Sequence, residues 1–225
     1  MIGDVQLRSS IVAATFTALI TVGAFISIPL PFTPVPIVLQ NFFVLLAALL
    51  LGWKWAAVSV ALYLLLGAVG LPVFSAARGG LGHFFGPTGG YLIGFLVCAV
   101  AAGLLRRPRG GILLNLLAAV VGILTIYLVG VPWLKSVAGM NWAAALGAGV
   151  VPFLIGDAIK IAAAVAAQRL ILSRVHWLLP DGDGAAAATT RSGDGAAAAT
   201  APDGDGAAAG TDESARGDRR SPGNE

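Results

Sequence analysis

The stretch VPFLIGDAIKIAAAVAA, residues 151–167, decides how the rest of the chain is read. It is apolar on every side, and only Asp157 and Lys160 interrupt the run. A helix of this kind lies in a protein core or in a bilayer, because it has no polar face to give to water. A charge at the bilayer centre costs roughly 2.5–3.5 kcal/mol on insertion scales. Both charges must therefore face the protein interior, and at i and i+3 they share one helix face. Two readings follow: a structural ion pair within the membrane, or a polar site for a ligand. A proton relay would want further acids, and residues 1–180 contain only one besides Asp157, namely Asp4.

Composition widens the membrane reading to most of the chain. Of its 225 residues, 57% are hydrophobic and 11% charged; a soluble domain carries about a quarter charged residues. The mean hydropathy is +0.87. Nine of the eleven acids lie in residues 181–225, whereas residues 1–180 hold ten of the fourteen bases. The isoelectric point near 9.4 does not signal nucleic-acid binding, because these bases flank apolar runs, as membrane topology would place them. Cys98 is the single cysteine, and His83 and His176 are far apart in sequence. That leaves no disulfide framework and no spaced metal motif. No GxxxxGK[ST] loop occurs, so the chain has no P-loop with which to hydrolyse ATP.

A helix needs about 20 apolar residues to cross the hydrocarbon core. Six segments qualify as spans: 11–29, 35–51, 53–70, 89–105, 112–131 and 146–172. The first is longer than a signal-peptide core and runs into proline-rich sequence, so it reads as retained. Arg8, Lys54, Arg106, Arg107, Arg109, Arg169 and Arg174 fall on one side of these spans, against Arg78 and Lys135 on the other. The excess of bases marks the cytoplasmic side and puts both termini there. Trp53, Trp55, Trp133, Trp142 and Trp177 sit at span ends, where amphipathic rings favour the interface. The expected fold is all-α: a polytopic membrane protein with six transmembrane helices over residues 1–180.

Two outer connections are unusual. PLPFTPVP (29–36) has four prolines in eight residues and predicts a stiff extended link. PVFSAARGGLGHFFGPTGG (72–90) has six glycines, two prolines and three phenylalanines. A loop of that length in a compact domain is usually functional, and this one reads as a lid or re-entrant segment over the outer face. The tail, 181–225, repeats DGDGAAAA-like units with Asp183, Asp194 and Asp205 eleven residues apart. With no large apolar residues it reads as a low-complexity, acidic, disordered segment.

The polar residues among the spans are the remaining candidates. Gln40 and Asn41 lie within the second span, and Tyr63 and Tyr127 lie within others. Buried amides can bridge helices or bind ligands. Tyr91 opens the fourth span after GPTGG, where Thr88 reads as the helix cap and the glycines allow close backbone approach. Arg78, the basic residue of the glycine-rich loop, reads as a solvated charge or a carboxylate clamp. In the first span Ala14 and Ala18 make a small-xxx-small face, on which another helix can come close.

Taken in order, TALITVGAFISIPLPFTPVPIVLQ, LYLLLGAVGLPVF, GGLGHFFGPTGGYLIGF and PFLIGDAIK resemble the BioY family, the biotin-specific S components of energy-coupling factor (ECF) transporters. The resemblance covers residues 11–172, and GPTGGY together with PFxxGDxxK is its most specific part. It implies a six-helix protein of the cytoplasmic membrane that binds biotin from outside and is not an enzyme. It further implies a partner module, made of a coupling membrane protein and two ABC-type ATPases, that docks on the Ala14 and Ala18 face. For biotin, Asp157 could accept from the ureido N–H groups, while Lys160 or Arg78 meets the valerate carboxylate. Tyr91 and Gln40 complete the expected contacts. An S component for another vitamin, or a membrane enzyme, are the alternative readings.

Overall fold

A computed structural model describes residues 2–108 and 111–175. The tail at 181–225, Arg109, His176 and Trp177 lie outside the described residues. Helices dominate: α1 (Ile2–Phe25), α2 (Gln40–Leu51), α3 (Trp53–Ala68), α4 (Gly89–Leu105), α5 (Ile112–Ala138), α6 (Trp142–Gly149) and α7 (Leu154–Val175). Each of the six expected spans contains a helix. By length and composition, three stretches among the described residues suffice to cross a membrane: Gln6–Phe25, Ile112–Ala138 and Trp142–Arg174. The helices α2, α3 and α4 are apolar but shorter.

The departures from expectation have local causes. The proline-rich link is extended, as expected, but it also folds back on itself, so the fold is not purely helical. Strands β1 (Ser27–Leu30) and β2 (Thr33–Val38) pair antiparallel, with Ser27 opposite Val38 and Leu30 opposite Thr33. The register slips between Ile28 and Leu30, where Pro29 has no N–H to give to the ladder. This hairpin takes residues 35–38 away from the expected second span. The sixth span is divided between α6 and α7. Gly149 ends α6 and Pro152 sits in the short 3-10 turn Val151–Phe153, a position where its missing N–H costs nothing because a new helix is starting. At the other end of α6, the Asn141 side chain accepts from Ala144 N at 2.8 Å, a standard N-cap.

The helix α2 is the centre of the packing. Every residue from Val44 to Leu51 is buried, as a helix apolar all round requires, and α1, α3, α4 and α7 surround it. The pair α4 and α5 forms the most extensive contact. Its closeness depends on Gly94, whose missing side chain leaves room for the Ile126 backbone: a Cβ there would stand 3.0 Å from Ile126 Cα. One consequence decides the site. With α2 central and α7 beside it, the first residues of α2 and the first turns of α7 face each other near the same end of the bundle.

Candidate functional site

Asp157 is 5% exposed in the first turn of α7, and its carboxylate is held from three helices. Asn41 Nδ2, from α2, donates to Oδ1 at 2.8 Å. Lys160 Nζ, one turn along α7, donates to the same oxygen at 3.2 Å. The Tyr127 hydroxyl, from α5, donates to Oδ2. A buried carboxylate is tolerable when paired and hydrogen-bonded, and both conditions are met here.

These groups line a cavity with about 590 Å³ of space between its walls, the open mouth and adjoining solvent included. Its apolar wall comes from Val35, Val38, Leu92, Phe95, Ile126 and Phe153, and its polar end from Gln40, Asn41, Tyr127, Asp157 and Lys160. Gln40 is 2% exposed. Its side chain neighbours the buried Tyr63 hydroxyl, whereas Asn41 Oδ1 has no hydrogen-bond partner among the described residues. A buried polar atom without a partner calls for an explanation, and a ligand in the cavity is one.

A wider outer cleft adjoins the cavity, bounded by the β-hairpin on one side and the glycine-rich loop on the other. Pro36, Ser75, His83 and Thr88 line both spaces and form the throat between them. Side-chain contacts brace the throat. The His83 ring stacks on Phe74, with centroids 5.0 Å apart, and its Nε2 pairs with Thr88 Oγ1 at 3.2 Å. Burial, and then the nearby Arg78 charge, hold the His83 pKa below its usual 6.5. Trp133 Nε1 on α5 pins the loop by donating to Gly86 O at 2.9 Å. Next to the throat, Phe74 N donates to Arg78 O at 2.8 Å, closing a tight turn. Within it Ala76 and Ala77 both have positive φ, 58° and 55°, a sparsely populated conformation for a residue with a side chain.

The sequence candidates therefore divide. Asp157, Lys160, Gln40 and Tyr91 all line the inner cavity. Arg78 does not: it is exposed and lines the outer cleft. Tyr91 contributes its ring to the wall, while its hydroxyl is taken by Gly149 O at 3.0 Å and so clasps α4 to the end of α6. Thr88 occupies the N-cap position of α4 without a side-chain cap bond, because its hydroxyl is given to His83. Ala14 and Ala18 are exposed on α1, away from the cavity. In the sequence Asn41 and Tyr127 are visible only as polar residues inside apolar spans, and nothing there places them on Asp157.

A model described as the BioY family matches residues 1–177. The chain belongs to the BioY family. Among BioY relatives, the probable biotin transporter BioY of Pyrococcus horikoshii is 46% identical over 158 residues, covering 70% of this chain and 92% of that protein. The biotin transporter BioY of Thermotoga maritima is 46% identical over 165 residues, covering 73% of this chain and 96% of that protein. A crystal structure of the S-component for biotin from an ECF-type ABC transporter superposes with a TM-score of 0.69 at 30% identity. That match covers 77% of this chain and 95% of the solved one, so the BioY architecture extends over nearly all the described helices.

Proposed function

We infer that this chain takes up biotin as the substrate-binding component of an ECF-type transporter. The observation that carries the reading is the cavity of a BioY chain with Asp157, Lys160 and the unpartnered Asn41 Oδ1 at one end and apolar walls along its length. Biotin has the matching shape of chemistry: a ureido ring with two N–H donors and a carbonyl, an apolar thioether ring, and a valerate chain ending in a carboxylate. The ureido ring occupies the polar end against Asp157, Asn41 and Gln40. The rings of Tyr91 and Phe95 flank the apolar body. The valerate runs through the throat toward Arg78, with Lys160 the alternative cation for it. The role is binding and transport rather than catalysis.

The chain crosses the cytoplasmic membrane six times with both termini inside. The asymmetry of Lys and Arg supports that topology, as does a helix at every expected span. The partner is a coupling membrane protein with two ABC-type ATPases, and the exposed Ala14 and Ala18 face of α1 offers it a close approach. Residues 1–180 make the binding unit, and the acidic tail 181–225 is dispensable for binding. Calorimetry on the purified full chain in detergent tests the whole reading: biotin binds without ATP, and removing 181–225 leaves the affinity unchanged. Failure of the full chain to bind biotin would overturn it.

A further inference from the structure

Asp157 has little capacity left for a ligand. A carboxylate offers about four acceptor sites on its two oxygens, and Asn41, Lys160 and Tyr127 already donate to three. A carboxylate also only accepts, so the Asn41 amide can turn only its Nδ2 toward Asp157. That fixes the other end of the amide. Asn41 Oδ1 is consequently held as an acceptor in a residue that is 8% exposed and lines the cavity, and no described residue donates to it.

We propose that Asn41 Oδ1 is the acceptor that reads a ureido N–H of the ligand, and that Asp157 acts through Asn41 by holding its amide in the one orientation that presents this oxygen. The inference rests on the reading of the cavity as a biotin site and adds a residue to it. Orientation here comes from chemistry: a neutral partner in place of Asp157 would let the amide turn over and offer a donor instead. The class of ligand favoured is a cyclic urea with a free N–H. A ligand whose corresponding nitrogen is alkylated would leave the buried oxygen without a donor and press a methyl group against it, both unfavourable.

The test uses the full chain in detergent, with biotin and its two ureido N-methyl derivatives as probes. Wild type should bind at least one derivative about tenfold or more weakly than biotin, the scale of one lost hydrogen bond to a buried group. Asn41→Leu, and Asn41→Ala as a variant without added bulk, should weaken biotin about ten- to a hundredfold and bring that derivative level with biotin. Asp157→Asn should lower the same discrimination with Asn41 still present. A structural role alone would weaken all three probes together and preserve their ratios, and that result overturns the proposal. So does a wild-type protein that binds biotin and both derivatives equally. A wild-type protein that binds no biotin removes the functional reading itself, and this inference with it.

Discussion

Asn41 at the start of α2 donates to Asp157 Oδ1 at 2.8 Å across a separation of 116 residues. With Tyr127 on the second oxygen and Lys160 on the first, a single carboxylate joins α2, α5 and α7 at the polar end of the cavity. The fold and the site are coupled there, so substitutions should register in both stability and binding.

Tyr127→Phe should show both effects. It keeps the ring in the cavity wall and removes the hydroxyl, leaving Asp157 Oδ2 buried without that donor. The expected cost is about 1–3 kcal/mol of stability, seen as a lower unfolding midpoint in detergent, together with weaker biotin binding. An unchanged midpoint would mean that Lys160 and Asn41 suffice to hold the carboxylate.

Lys160→Ala distinguishes two roles for the ammonium group. Biotin should bind about ten- to a hundredfold more weakly if a charge-assisted contact is lost. If the lysine meets the valerate, a neutral biotin amide should suffer less than the acid. The 3.2 Å contact with Asp157 favours the other result, equal loss for acid and amide, since the charge is already engaged with the carboxylate. Calorimetry with both ligands decides between them, and no loss for either would remove Lys160 from the site.

The sequence made much of this legible, for reasons that can be traced to particular residues. Asp157 and Lys160 stood out because a charge in an apolar run has few structural excuses, and both line the cavity. The six helical segments followed from hydropathy. Their ends did not: Pro29 and its neighbours build a hairpin, and Pro152 starts a helix inside what hydropathy reads as one span. Hydropathy averages over such breaks. Asn41 and Tyr127 were visible as polar residues, but which helices face each other at that depth is a tertiary fact. Arg78 reads from the sequence as either a solvated charge or a carboxylate clamp, and the turn at Ala76 and Ala77, which sets it on the outer cleft, has no sequence signature without a glycine.

Ala14→Trp with Ala18→Trp addresses the partner face. Both alanines are exposed on α1 and far from the cavity lining. Biotin affinity should be unaffected, while co-purification with the coupling protein and its ATPases should be lost, because two indole rings keep a partner helix from close approach. Retained association would move the docking surface to another helix.

His83 gives a pH dependence with a definite sign. Its folded pKa lies below the usual 6.5, owing to burial and then Arg78, so the unfolded chain takes up this proton at higher pH than the folded one. Stability should be fully present above pH 6.5 and decline as the pH falls from there through the lower folded value. Thermal midpoints on either side of this window should fall further in wild type than in His83→Gln. Equal declines would show that other groups carry the effect.

In the proposed function, the buried carboxylate of Asp157 organises the biotin site. Titrating biotin into purified full-length wild type and Asp157→Asn, both shown to be folded, tests it most directly. Wild type should bind tightly without nucleotide and the variant at least about tenfold more weakly, as expected when a charged acceptor that orients Asn41 becomes an amide. A folded Asp157→Asn protein that binds biotin as tightly as wild type would contradict it.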